Sequence, residues 1–418
     1  MVHVAKEMER QKFDLPLLIG GATTSKVHTA VKIAPHYSHP VIHVNDASRS
    51  VPVVSSLLSK DQKQDLLDRT NVEYDRLRKQ HAGAQAANKF ITMEEARKNA
   101  WPSDWLKAES NTPLKPGVTV LKDYSIAELA EYIDWTPFFH SWEMKGSYPK
   151  IFSDPERGVE AKKLFNDAQQ MLKQVIDEKW IQANGVIGLF PANADGDDII
   201  VFSNEERKTK RAVFHTLRQQ TKKPAGQYNM ALSDFVAPLS SNVKDYIGTF
   251  AVACGEGIDK HVAAFEANHD DYSAIMLKAI ADRLAEAFAE RLHQRVRKEF
   301  WGYAADEHFA NDELIKEEYD GIRPAPGYPA QPDHTEKNAI WDLLDVEKNA
   351  GITLTESLAM LPTAAVSGLY FSHPTSQYFG IGKIQRDQVE EYAQRKGMSI
   401  DETERWLSPA LGYEPVVV

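Results

Sequence analysis

Cysteine is almost absent: Cys254 is the single one in 418 residues, so no disulfide can close within the chain and no zinc site can be assembled from thiolates. That scarcity points to a cytoplasmic setting. Long apolar runs are missing too. The stretch MVHVAKEMERQKFDLPLLIGGATT has no apolar core of signal-peptide length, and nothing downstream approaches the run needed to span a bilayer, so no membrane partner is expected. Positive charge is in deficit, with 49 Lys and Arg against 60 Asp and Glu and a formal net charge of -11. This balance argues against nucleic acid and against an anionic membrane surface, and favours a small cationic ligand or a basic protein. No internal repeat or low-complexity tract is present. What remains is ample for packed cores: 42% hydrophobic and 10% aromatic residues, in a length that suits two or three domains or one large domain with a smaller piece.

The first residues read as a helix from Val4 to Gln11, a short buried strand in PLLIGG (Pro16 to Gly21), a helix through His28 to Ile33 and a strand from Val41 to Asn45. This βαβ rhythm is the end of a Rossmann-like α/β domain, so the chain is expected to begin inside one. Residues 1–60 form that remnant and 61–84 a charged, helix-forming linker. A main domain runs over 85–418. There VIGLF (Val186 to Phe190) and DIIVF (Asp198 to Phe202) flank a turn at Asp195 and Gly196. A second hairpin is expected between SGLYFSH (Ser367 to His373) and YFGIGKI (Tyr378 to Ile384), bent at Pro374 and Thr375. The class is α+β with antiparallel pairing and long helices, preceded by the partial α/β remnant. The strongest helix is Asp271 to Phe300, whose stripe of Met276, Ile280, Leu284, Phe288, Leu292, Val296 and Phe300 must face a core. Glu286 and Glu290 are expected on its opposite, solvated side.

RPAPGYP, Arg323 to Pro329, is the least generic stretch. Pro324 biases Arg323 away from helix, Pro326 and Pro329 fix their own φ, and Gly327 permits a turn or a close ligand approach. One guanidinium and the Tyr328 ring are thus displayed at low entropic cost, a presentation suited to a planar carboxylate but equally to a rigid surface turn. In YIDWTPFF (Tyr132 to Phe139) Asp134 sits among four aromatics, and a cap before Thr136 and Pro137 is as good a reading as a ligand contact. Glu286, Glu317 and the HPTSQYF turn (His373 to Phe379) are individually unremarkable, each read first as a solvated charge or an ordinary bend.

LLIGGATTSKVHTAVKI, YIDWTPFF, RPAPGYPAQPDHTEK, VSGLYFSHPTSQYF and QRDQVEEYAQRKGMS occur in this order over nearly the whole chain. The sequence closely resembles the C-terminal part of the cobalamin-dependent methionine synthase family: the tail of a cobalamin-binding domain followed by an S-adenosylmethionine-binding reactivation domain. The resemblance implies that Asp134, Arg323, Tyr328, Tyr378 and Phe379 contact S-adenosylmethionine, with Glu286 and Glu317 as acids near it. Relatives often carry Tyr where Phe379 stands, which removes a hydroxyl contact, and Gln331 replaces a common cysteine. Gly20 and Gly21 match a two-glycine turn beside the nucleotide tail of cobalamin, and Ala47 a backbone contact. The DxHxxG motif that supplies the lower cobalt ligand is not in the chain. Asp259 and His261 imitate its start, but Ala264 stands in the glycine's place, so cobalamin retention by this chain alone is not expected.

The implied parent is a methyltransferase that makes methionine from homocysteine and methyltetrahydrofolate through methylcobalamin, with zinc only in an N-terminal part outside this chain. The implied task of this portion is reductive methylation of oxidised cobalamin, with an electron from flavodoxin or an equivalent reductase and a cobalamin-binding domain of the same or another chain as partner. No side chain here needs to be a covalent nucleophile. A free-standing S-adenosylmethionine-binding module acting on a separate corrinoid protein is the competing reading. A corrinoid carrier is a poorer third.

Overall fold

A computed structural model describes residues 1–20, 25–44, 50–59, 61–87, 90–103, 105 and 111–415. The chain forms two compact units, Met1–Lys89 and Phe90–Val418.

In the first unit, strands β1 (Leu17–Gly20) and β2 (Val41–Val44) pair in parallel, Leu17 opposite Val41 and Gly20 opposite Val44. A parallel pair needs a crossover, and the helical turns Lys26–His28 and Thr29–Ile33 supply it. The Ser25 hydroxyl starts that crossover by accepting the His28 N–H at 3.1 Å. Ala5, Ile19, Ile33, Tyr37 and Val41 close a small core. The segment expected as a linker lies mostly within one helix, Lys63–Ala87, which docks on this unit: Tyr74 OH accepts the His43 N–H at 3.0 Å, and Lys26 pairs with Glu73 at 3.1 Å.

The second unit is built on one antiparallel sheet of β3 (Gly117–Leu121), β4 (Gln182–Asp195), β5 (Asp198–Phe202), β6 (Lys210–His215), β7 (Asp245–Glu256) and β10 (Ala365–Tyr370), in the order β10-β7-β4-β5-β6 with β3 also on β4. A two-stranded ribbon, β8 (Thr353–Leu354) with β9 (Met360–Leu361), stands apart. The central strands read as nearly continuous apolar runs because both faces are covered. Along β4, Ile187 and Leu189 point into the core beneath the Asp271–Arg295 helix, while Val186, Phe190 and Ala192 point to a second core with Leu343 and Leu344 of the Lys337–Leu344 helix. The β4–β5 hairpin turns where expected: Asp195 pairs with Asp198, and Gly196 takes φ +62°.

The second expected hairpin does not form. β10 pairs with β7 instead, and residues 378–383 carry no strand. Leu369 and Tyr370 are buried on opposite faces of β10, which lies at the end of the strand order beside β7, and the glycine-bearing segment after Gln377 bonds elsewhere, Ile381 N–H donating to Pro329 O at 2.8 Å. The long helix runs to Arg295 and continues as a wider turn through Phe300. Glu290 departs from expectation: it is buried at 6% exposure, because the helix is covered on more of its circumference than the stripe alone defines.

Phe288 is fully buried between this helix and the sheet, with Tyr124 at 4.7 Å. Phe288→Ala should cost about 3–5 kcal/mol through lost burial and a residual cavity, read as a lower midpoint in denaturant unfolding.

Candidate functional site

The Arg323–Pro329 loop is anchored alongside β10. Ile322 and Phe371 exchange both backbone hydrogen bonds at 3.1 and 3.0 Å, and Leu369 N–H donates to Pro324 O at 2.9 Å. That approach depends on Gly368, where a Cβ would lie 2.8 Å from Pro324 O. Gly327 adopts φ +94°, its N–H donates to Gln331 O at 2.7 Å, and a Cβ there would sit 2.3 Å from the His334 ring. The loop is therefore a closed turn, fixed at both ends. Tyr378 ties the following segment to it, its OH accepting the Arg323 N–H at 3.0 Å.

Between these pieces and the sheet lies a cleft of about 540 Å³, in the range of small-molecule sites. Arg323, Tyr328, Tyr378, Phe379, Glu286 and Glu317 all line it, from three separated stretches of chain. Phe250, Val366, Ala325 and Ala330 give it apolar walls. Ser367, unnoticed in the sequence, also lines it, and its buried Oγ has no hydrogen-bond partner among the described residues. Tyr328 is 61% exposed at the rim.

Arg323 is not a solvated cation. Its Nη2 donates to Glu290 Oε2 at 2.6 Å, and its Nη1 reaches Tyr319 OH at 2.5 Å and His293 Nδ1 at 3.3 Å. Burial opposes the charge, but the Glu290 carboxylate, together with Tyr319 and Tyr378, outweighs it and holds the guanidinium pKa above its ordinary value. His293 is fully buried, and burial together with the Arg297 and Arg323 cations keeps its pKa well below the usual imidazole range. It is neutral at pH 7, so Nδ1 accepts from Arg323. The His293 ring stacks on Tyr370 at 5.0 Å, and Tyr370 stacks on Phe250 at 4.6 Å, so the cleft wall and the base of Arg323 share one aromatic column. Glu317 stands at φ +58°; burial raises its carboxyl pKa, Arg323 pulls it down in part, and Glu290 pushes it up.

The partners of Arg323 were missed in the sequence reading. The signal was there: Glu286, Glu290 and His293 follow i, i+4, i+7 spacing and share one helix face, but a glutamate on a charged helix reads as solvated. Asp134 is not among the residues lining the cleft. Its Oδ1 accepts the Thr136 N–H at 2.9 Å, an Asx-type turn that leads into the Thr136–Ser141 helix, whose N-cap is Trp135 and carries no side-chain cap bond. In the first unit Gly20 ends β1, where a Cβ would lie 3.0 Å from Val44 O; Gly21 and Ala47 fall outside the described residues. His261 stacks on Trp180 at 4.4 Å, away from any of these positions in sequence. A second cavity of about 490 Å³, lined by His215, Glu336 and Lys396, holds charges that satisfy one another: Lys396 pairs with Asp333 at 2.7 Å and with Glu336. Its chemistry is that of a braced structural cluster.

Residues 125–397 match the family described as vitamin B12 dependent methionine synthase, activation domain. A crystal structure of the MetH reactivation domain bound to AdoHcy is 56% identical, with a TM-score of 0.76, and the match covers 78% of this chain and 100% of that one. An α+β domain with one charged, aromatic-rimmed cleft is thus joined to a family by sequence and shape together. The chain belongs to the activation-domain family of vitamin B12-dependent methionine synthase, a methyltransferase.

Two outcomes follow from the geometry. Asp134→Ala should lower stability by about 1 kcal/mol, as loss of one side-chain-to-backbone hydrogen bond does, and calorimetric titration of the folded variant shows whether ligand affinity also moves. Gly327→Ala should lower the thermal midpoint and weaken ligand binding together, since both the positive φ and the His334 ring oppose a methyl group.

Proposed function

We propose that this cleft binds S-adenosylmethionine and presents it for reductive methylation of oxidised cobalamin. The observation that carries the reading is the convergence of one cation, two carboxylates and four aromatic rings on a single cleft of about 540 Å³. S-adenosylmethionine carries a carboxylate, an ammonium and a sulfonium beside an adenine, and the lining supplies a counterpart to each. Arg323 takes the carboxylate: its bonds to Glu290, Tyr319 and His293 use Nη1 and Nη2, and Nε has no partner among the described residues. Glu286 and Glu317 face the ammonium and sulfonium charges. Tyr328, Tyr378 and Phe379 enclose the apolar and π surfaces. The relative bound to AdoHcy, the demethylated counterpart of S-adenosylmethionine, supports the same assignment.

Within the parent enzyme cobalamin supplies the cobalt nucleophile, and this chain's part is to hold the donor in orientation. On this reading Gly20, Gly21 and Ala47 belong to the cobalamin side. Of the three only Gly20 can be tested for fit, and it suits the role in two respects: it ends a parallel strand, where α/β sheets take ligands, and it has no side chain to block a backbone approach. A cobalamin-binding domain and a flavodoxin-like reductase are the proposed partners, and methionine formation from homocysteine and methyltetrahydrofolate the activity of the whole enzyme. The proposed setting is the cytoplasm; among the described residues no helix is long and apolar enough to cross a membrane.

Glu317→Gln tests the site without disturbing the fold. A carboxyl whose pKa is raised in the folded state is destabilised when ionised, so at pH 7 the neutral amide should leave the thermal midpoint unchanged or slightly higher. Affinity for S-adenosylmethionine by calorimetry should fall about tenfold, the scale of one lost charge-assisted contact. Unchanged affinity would remove Glu317 from the site, and no binding by the unaltered chain would reject the reading.

A further inference from the structure

Among the residues lining the cleft Arg323 is the one cation, set against Glu286 and Glu317. Behind the lining, Glu290 is buried and holds Arg323 at 2.6 Å. Glu290 spends its carboxylate entirely on that contact, since Oε1 is buried with no hydrogen-bond partner among the described residues. Of the other charges close by, Arg297 is matched by Glu307 at 2.8 Å, and Arg283 stands outside the lining but acts on Tyr328 at the rim, where it partly offsets Glu286. The Arg323 and Glu290 charges cancel. Glu286 and Glu317 then leave the cleft with an excess of negative charge in a partly desolvated space, where a unit charge acts several times more strongly than in water.

Resting on the reading that the cleft takes a sulfonium amino acid, we propose that Glu290 is a charge-balancing positioning residue: by neutralising Arg323 it makes the cleft select a sulfonium ligand over a thioether of the same shape. S-adenosylmethionine and S-adenosylhomocysteine share adenine, ribose, ammonium and carboxylate. They differ by one methyl group and one positive charge. Contacts to the shared parts bear on both ligands equally, so the net field of the cleft separates them. With Glu290 present, Arg323 offers hydrogen bonds to the ligand carboxylate while adding little repulsion at the sulfur. Without it, an uncancelled guanidinium opposes the sulfonium and leaves the thioether untouched. The arrangement also gives a spent ligand a reason to leave, since loss of the sulfonium charge removes the interaction that favoured it.

The test is the ratio of the two dissociation constants, measured by calorimetry on the full chain with S-adenosylmethionine and S-adenosylhomocysteine. The unaltered protein should prefer S-adenosylmethionine, and Glu290→Gln should shrink that preference several-fold, chiefly by weakening the sulfonium ligand. A loosened fold alone would weaken both ligands by the same factor and leave the ratio unmoved, which would overturn the proposal. The double variant Arg323→Gln with Glu290→Gln replaces the ion pair by two neutral amides and guards against a poorly folded single variant. It should bind both ligands more weakly through the lost carboxylate contact, yet recover the original ratio; a ratio that stays collapsed would also overturn the proposal. If the unaltered chain binds both ligands equally, the selectivity claim fails while the site stands. If it binds neither, the site assignment itself fails.

Discussion

The contact between Arg323 and Glu290 is the constraint on which the site depends. A guanidinium displayed on a proline-framed loop would be solvated and mobile if the loop stood alone. Here the long helix offers Glu290 and His293 from its buried face, Tyr319 adds its hydroxyl, and three groups from two elements hold one cation in place. A buried ion pair is a poor source of stability, because desolvation of both ions consumes most of the Coulomb gain. It is a good source of position. Breaking it from either side leaves an uncompensated charge in the interior, so loop and helix are coupled to one geometry.

The loop contributes its own rigidity. Gly368 lets Pro324 O lie against β10, Gly327 closes the turn over His334, and Tyr378 OH receives the Arg323 N–H. Pocket walls from residues distant in sequence are thereby tied together through backbone bonds before a ligand is present, which lowers the ordering cost of binding. The aromatic column from Phe250 through Tyr370 to His293 runs from the cleft wall to the base of Arg323. Ligand contact and core packing meet in the same few side chains.

Much of this was legible in the sequence, and the reasons differ by element. Strong periodicity revealed the long helix, and the Asp195–Gly196 turn revealed the β4–β5 hairpin, because both are decided locally. The expected hairpin from Ser367 to Ile384 was not, since the partner of β10 is β7, more than a hundred residues earlier, and local turn chemistry carries no information about that choice. Six candidates, Glu286, Glu317, Arg323, Tyr328, Tyr378 and Phe379, meet around one cleft, and their grouping came from resemblance to a family, since no spacing rule links residues so far apart. Glu290 and His293 escaped for a physical reason: a charged residue on an amphipathic helix reads as solvated until the neighbouring loop that buries it is known. Asp134 shows the reverse case, where two local readings were equally good and the structure gives a local turn bond to Thr136 N–H, one residue ahead of the helix cap.

The central claim is that the cleft receives a ligand's carboxylate on an Arg323 that stays paired with Glu290. A crystal structure of the chain with S-adenosylmethionine tests it most directly. The account predicts the ligand between the Arg323–Pro329 loop and the Tyr378–Phe379 segment, its carboxylate on Arg323 and the Glu290 contact intact. A ligand seated elsewhere, or an Arg323 that abandons Glu290 to reach it, would contradict the account.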